Sequence, residues 1–309
     1  MKALVGYTGF VGSNIYSRAG KEIDAVYNSK NIEEAFGTDP DLLIYAGLRA
    51  EKYLANNAPD KDMDLIRQAE SNISKINPRK LVLISTIDVF PDPVGVCEKD
   101  PVNTEGLHAY GLNRYRLEEW VRENCPDALI IRLPGLFGRN IKKNFIYDLI
   151  NLIPSMLKED KFKELAERDS ELPLYYSKQD NGFYRAEVKP EDREKLKEKF
   201  RRLKFSALNF TDSRSVYQFY NLSGLWDDIR TALDNDIKLW HPATEPVSAA
   251  EIYRYLTGEE FVNELSGRPA FYDYRTVYDR IFGGDNGYIC TKEEILREIK
   301  AFTDNGEGR

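Results

Sequence analysis

The chain has 309 residues and a formal charge of −7, enough length for one large domain or two lobes. The acidic balance and the lack of an extended basic block exclude nucleic acid as the main partner, and no apolar run is long enough to span a membrane. Cys97, Cys125 and Cys290 lack metal-ligand spacing and point to a reduced, cytoplasmic setting, while His108 and His241, the only histidines, exclude a metal or catalytic centre built on several imidazoles.

The first fifteen residues organise the rest. The apolar run Ala3 to Val5 stops at Gly6, and Gly9 and Gly12 follow at three-residue spacing before a helix-compatible segment opens near Phe10. The glycine turn cuts the apolar run short, so the start reads as a strand and not as a signal peptide. Strand, tight glycine turn and helix are the pattern that cradles a pyrophosphate. One glycine supplies backbone angles closed to other residues, one admits a phosphate to the main chain, and one lets helix and strand pack closely. The helix then offers free N–H groups and a positive dipole end. Gly6, Thr8, Gly9, Phe10, Val11 and Gly12 are therefore candidate cofactor contacts; an ordinary strand-to-helix turn is the plainer alternative.

Ile23 to Tyr27 reads as a strand, Asn31 to Phe36 as helix, and Leu42 to Ala46 as a strand ending at Gly47. Asp60 to Ile76 reads as a long helix. Lys80 to Thr86 is a continuous apolar run of the kind that forms a buried parallel strand. A loop with Pro91, Pro93 and Pro101 leads to an amphipathic helix, Tyr110 to Asn124, with Leu117, Trp120 and Val121 on one face and Glu118 and other charges elsewhere. Ala128 to Leu133 is the next strand. Repeated strand–helix units predict an α/β fold, a Rossmann-type doubly wound parallel sheet that binds ligands at the carboxyl ends of its strands.

The second half changes character. Phe145 to Leu157 reads as a helix with a kink at Pro154, and 158–204 is highly charged. Within it, the run from Pro190 to Arg202 reads as a solvated helix with Glu191 and Lys195 paired at four-residue spacing. Tyr217 to Leu233 reads as helix and Ile237 to Trp240 as a strand. Ser248 with Glu251, and Thr291 with Glu294, form capping-box patterns that open two more helices. The expected division is a dinucleotide-binding domain over 1–150, with 208–245 returning to it, and a smaller substrate lobe from 151–207 and 246–309.

Three features in order are the glycine turn, Ser85-Thr86-Ile87-Asp88-Val89-Phe90 at a strand end, and Tyr110-Gly111-Leu112-Asn113-Arg114 at a helix start. Together they resemble the extended short-chain dehydrogenase/reductase family of nucleotide-sugar epimerases, dehydratases and reductases, with its N-terminal GxxGxxG, strand hydroxyl and Tyr-x-x-x-Lys helix. The resemblance covers about the first 140 residues and is loose beyond them. It implies that Thr86 orients a substrate carbonyl and that Tyr110 is the acid/base. A tyrosine of ordinary acidity needs a nearby positive charge to become phenolate. Position 114 lies one turn on from Tyr110, and Arg114 stands where the family has lysine. A guanidinium keeps the charge but does not relay a proton; a surface ion pair with Glu118 is its plainer role.

An NAD site usually carries an acidic residue about 20 residues after the glycines. Asn28, Ser29 and Lys30 stand there instead, with Asp24 too early in the strand, and favour the 2′-phosphate of NADP while leaving NAD open. Ile87 in place of an acid argues against 4,6-dehydration. The motif around Thr86, and Ala128 to Gly138 followed by Asn144-Phe145, look most like 4-keto-sugar reductases of the dTDP-rhamnose type. By that analogy Ala46, Gly47 and Leu48 pass the adenosine and pyrophosphate, Ser85 adjoins the cofactor, Pro134 and Leu136 line the nicotinamide pocket, and Asp88 and Asn144 approach a sugar nucleotide. The expectation is an NAD(P)-dependent oxidoreductase. The alternatives are an epimerase with retained cofactor and a non-catalytic dinucleotide binder. Family members often form homodimers, for which Trp120 and Val121 are candidate contacts, or simply core residues.

Overall fold

The structure, a computed structural model, describes residues 1–306. In chain order its main elements are β1 (Lys2–Val5), α1 (Phe10–Ala19), β2 (Ala25–Tyr27), β3 (Leu42–Tyr45), α2 (Lys52–Asn57), α3 (Pro59–Ile76), β4 (Leu81–Thr86), α4 (Ala109–Asn124), β5 (Leu129–Leu133) and β6 (Gly135–Phe137). There follow α5 (Phe145–Asn151), β7 (Met156–Lys158), α6 (Glu159–Arg168), β8 (Tyr176–Lys178), β9 (Phe183–Ala186), α7 (Arg193–Leu203), β10 (Val216–Tyr217), β11 (Phe219–Asn221), α8 (Leu225–Asp234) and β12 (Leu239–Trp240). The last are β13 (Val247–Ser248), α9 (Ala249–Thr257) and α10 (Lys292–Asp304).

Six strands form one sheet in the order β12-β5-β4-β3-β1-β2, every neighbouring pair parallel. The expected doubly wound α/β fold is the one observed. Alternate residues of its apolar strands feed two separate cores, as the pleat requires. Leu4, Ile44, Val82 and Ile131 pack with Ile15 of α1 and Trp226 and Ile229 of α8. Val5, Leu43, Leu83 and Ile130 pack with Ile66 and Ile73 of α3 and Leu117 and Val121 of α4. Val121 is fully buried and Trp120 packs on the same core, the second of the two roles expected for them.

The chain divides into two units. The first comprises Met1–Asn140, Val216–Val247 and Phe271–Phe302; the second comprises Ile141–Ser215 and Ser248–Ala270, with the last described residues from Thr303. The stretch Phe271–Phe302 thus belongs to the sheet unit, not to a smaller lobe running from 246 to 309. Its aromatic residues are the cause: Tyr274 is fully buried against Ile87, Val89, Phe90 and Ala243.

The second unit holds the antiparallel sheet β7-β9-β8. Its core joins Leu157, Phe162, Leu165, Tyr176, Leu196 and Phe200. Here the structure departs from several expectations. The helix begun at Phe145 stops at Asn151, because Leu152 turns left-handed (φ 57°) and Pro154 has no N–H to continue the ladder. Helix α7 is not simply solvated; it lays Leu196, Phe200 and Leu203 into the core. Lys195 pairs with Glu171 at 3.0 Å, not with Glu191.

In the first unit, the region read as one helix from Tyr217 is β11, paired with β6, and only then α8. The β-branched and aromatic run through Val216, Tyr217, Phe219 and Tyr220 favours strand. No helix among the described residues is long and apolar enough to cross a membrane.

One buried ionic network braces the sheet. Glu118 of α4 and Arg132 of β5 pair at 2.7 Å, both almost fully buried. Glu118 also accepts a 2.6 Å bond from the Ser85 hydroxyl and a 2.8 Å bond from Arg122. Arg132 reaches His241 at 3.3 Å. Burial, and then the charge of Arg132, hold the His241 ring down at about 3. The native ring therefore stays neutral while the unfolded one protonates. Stability that is full above about pH 6.5 is lost as pH falls toward the folded value, at about 1.4 kcal/mol per unit. Denaturant midpoints from pH 7 to pH 5 are expected to fall more steeply for the wild type than for His241→Gln; equal slopes would dismiss His241 as the titrating group.

Candidate active site

Because all six strands run parallel, their carboxyl ends share one edge, and the candidate residues follow those ends. After β1 the chain enters the glycine turn. Gly6 has φ 91°, and a Cβ there would strike the Ala46 carbonyl and come within 2.9 Å of the Gly47 Cα. A Cβ on Gly12 would overlap the carbonyl of Gly6. Both positions therefore require glycine: one for close approach of the neighbouring strand end, one for seating α1 on its own turn. Gly9 caps α1 without a side-chain bond to its first N–H groups. Those donors are left for a ligand, and the dipole end favours an anion. Thr8 and Gly9 are exposed, and Phe10 and Val11 are half-buried at the helix start.

Ala46, Gly47 and Leu48 leave β3 directly beside this turn. Asn28, Ser29 and Lys30 leave β2. The Asn28 carboxamide is engaged locally, accepting the Lys30 N–H at 2.9 Å. Ser29 and Lys30 are exposed. Pro134 and Leu136 flank the step from β5 to β6 and are half-buried. Ser85 differs from expectation: its hydroxyl turns inward to Glu118, so only its backbone faces the strand end. Asn144 lies in the second unit, where its side chain accepts the Tyr147 N–H at 3.2 Å and caps α5.

Thr86 ends β4, and its hydroxyl accepts the Asp88 N–H at 3.2 Å. Tyr110 sits in the first turn of α4. Its backbone N–H donates to Asn56 at 2.9 Å, and the helix is capped by His108 Nδ1, which accepts the Gly111 N–H at 3.0 Å. Gly111 has no room for a Cβ against the Asp88 carbonyl, so α4 is pressed onto the strand end. The Thr86 hydroxyl is thereby brought near the Tyr110 phenol. Burial pushes the phenol above its ordinary value, while the Arg114 charge and the nearby Thr86 hydroxyl pull it down. The balance keeps Tyr110 protonated.

Arg114 lies over the Tyr110 ring, 4.3 Å from its centroid. It does not pair with Glu118. Its Nη1 donates to Asp62 and its Nη2 to the Arg49 carbonyl at 2.7 Å. Asn113 completes the carboxylate's shell with a 2.9 Å bond to Asp62. Asp62 was legible in principle, since it shares the buried stripe Asp62, Ile66, Ala69, Ile73 and Ile76 of α3. A carboxylate on an apolar face implies a cation opposite.

Sequence reasoning missed two further residues. Asp88 accepts the Tyr272 hydroxyl at 3.1 Å and pairs with Lys52 at 3.1 Å. Lys52 comes from the short helix α2, and Tyr272 from the late segment that was assigned to the other lobe. Neither carries a local signal.

Removing one partner of a buried ion pair strands the other. Asp62→Ala is expected to cost about 3–5 kcal/mol of unfolding free energy, and Asp62→Ala with Arg114→Met to recover part of it. Chemical denaturation measures both; additive losses would show the two residues to be uncoupled.

Comparison with known proteins bears on the whole chain. No curated protein matches it by sequence. Among solved structures it is similar to dTDP-4-dehydrorhamnose reductase from Bacillus anthracis in complex with NADP, at 16% identity and TM-score 0.63, covering 98% of this chain and 97% of that one. It is similar to dTDP-4-dehydrorhamnose reductase from Yersinia enterocolitica at 13% identity and TM-score 0.64, covering 100% and 99%. It is also similar to an NAD-dependent NDP-hexosamine 5,6-dehydratase involved in tunicamycin biosynthesis, at 12% identity and TM-score 0.62, covering 98% and 97%. Identities this low establish the shared fold. The profile of the RmlD substrate binding domain matches residues 3–161. That span is more than half of the chain, which therefore belongs to the RmlD substrate binding domain family.

Proposed function

We propose that the protein reduces a keto group on a nucleotide-activated sugar, with NADPH as the preferred reductant and NADH as a substitute. The observation that carries this reading is the Thr86–Tyr110–Arg114 cluster: a strand-end hydroxyl near the phenol and a fixed cation over its ring, at the carboxyl edge of a parallel sheet. The family, and the NADP in the Bacillus anthracis structure, support it.

The residues fit a dinucleotide. The turn at Gly6 and Gly12 admits no side chain, and the first N–H groups of α1 are uncapped; these would hold the pyrophosphate. Ser29 and Lys30 would hold a 2′-phosphate, Ala46 to Leu48 would border the adenosine, Arg114 the ribose, and Pro134 and Leu136 the nicotinamide. When bound, that ring supplies the hydride.

The chain's own part is proton delivery and orientation. Thr86 fixes the substrate oxygen, and Tyr110 gives it a proton. A phenol held protonated is ready as an acid. An epimerase begins by oxidation and needs the phenolate, so the same burial weighs against it. Asp88, held by Lys52 and Tyr272, would accept a hydrogen bond from a sugar hydroxyl. All three cysteines are free, in keeping with a cytoplasmic enzyme.

A second reading has a specific observation behind it. Arg114 is committed to Asp62, which favours cofactor binding without turnover. Mixing NADPH with a dTDP- or UDP-linked 4-keto-sugar separates the two. NADPH consumption that drops about 100-fold or more in Tyr110→Phe supports reduction. Tight NADPH binding with no consumption supports the binder. Equal rates in wild type and Tyr110→Phe would remove Tyr110 as the acid.

A further inference from the structure

The second unit contains a cavity of about 190 Å³ whose lining includes Tyr147, Asn151, Ser155, Arg185 and Arg193, with no carboxylate among its walls. The chain as a whole is acidic, and several cations of this unit are matched by acids. Lys178 pairs with Glu159, Lys195 with Glu171, Lys197 with Glu194, Lys199 with Asp169 and Arg201 with Glu198. Among the described residues, Arg185 and Arg193 have no such partner.

Arg193 is half-buried and held in place. Its Nη1 donates to the Asn151 side-chain oxygen at 2.8 Å, and Asn151, itself 2% exposed, donates to the Tyr147 carbonyl at 3.1 Å. A guanidinium fixed by a neutral amide keeps its full charge facing the cavity. Arg185 projects from β9, the central strand of the small sheet, opposite Met156 and Ser177. Tyr147 and Ser155 line the same cavity. Two planar guanidinium forks on one cavity match tetrahedral oxyanions better than any other ligand class. The volume is below the range of whole-ligand pockets, so it suits an anionic head group and not a complete sugar nucleotide.

We infer that this cavity is a phosphate-binding site, with Arg185 and Arg193 gripping the oxygens. It shares no residue with the glycine turn and does not depend on the reductase reading. The phosphate has two possible sources: the diphosphate of a sugar nucleotide, or a separate small phosphate.

Calorimetric titration of wild type, Arg185→Gln and Arg193→Gln with inorganic phosphate, pyrophosphate, dTDP and UDP decides the matter. Wild type is expected to bind at least one of these, and each substitution to weaken it about tenfold or more. NADPH affinity is expected to be unchanged. Weakening of dTDP or UDP identifies a substrate diphosphate; weakening confined to phosphate or pyrophosphate identifies a separate ligand. Should Arg193→Gln fail to fold, the exposed Arg185→Gln carries the test. Absence of anion binding by wild type, or binding untouched by Arg185→Gln, would overturn the inference, whatever the outcome with NADPH and keto-sugars.

Discussion

A carboxylate with no access to water holds the carboxyl edge of the sheet together. Glu118 lies in the middle of α4 and takes bonds from Arg132 on β5, from Ser85 on β4 and from Arg122 on its own helix. Arg132 in turn lies 5.0 Å from the Phe90 ring centroid and touches His241. Burying such a pair is costly, and it is tolerated only because nearly every donor and acceptor is met. Its return is position. Ser85 precedes Thr86, and Glu118 lies two turns along the helix from Tyr110. Clamping the two fixes the separation between the strand hydroxyl and the phenol.

Arg114 occupies the same face of α4, between Tyr110 and Glu118, but belongs to a different network. Asp62 neutralises it from α3, and Arg49 and Asn113 complete the shell. Along eight residues of one helix the chain has thus placed two buried ion pairs that do not cross. Each ties α4 to a different neighbour: one to the sheet, the other to the helix beside it. A lysine at 114 could swing toward a ribose; this arginine is held by both ends of its fork.

Much of this was readable in the residues. Apolar runs of strand length separated by capped or periodic segments specified the parallel sheet, and the three glycines specified its first turn. The segment Tyr110 to Asn124 emerged as a helix with nearly the right ends. What escaped was whatever depended on partners distant in sequence. Glu118 looks like a solvent residue from periodicity alone, because only Arg132 explains its burial. Phe219 and Tyr220 looked helical because β6, to which β11 pairs, cannot be seen from local pattern. Leu152 gave no warning of its left-handed turn, since leucine seldom adopts one. Tyr272 and Lys52 reach Asp88 from opposite ends of the chain, and no local rule would join them.

The sheet unit is discontinuous, and this bears on how the molecule is made. Its first core includes Leu4, Trp226, Trp240 and, at its margin, Ile289. During synthesis the first 140 residues emerge and can pair five strands, yet α8 and β12 are still missing. The apolar face that they cover stays open while the second unit, with its own complete core from Ile153 to Leu203, is translated. Domains generally fold as units and in the order they appear. Here the Ile153–Leu203 cluster of the second unit can form before the sheet unit is complete. The nascent protein therefore carries an exposed hydrophobic sheet face until α8 and β12 emerge.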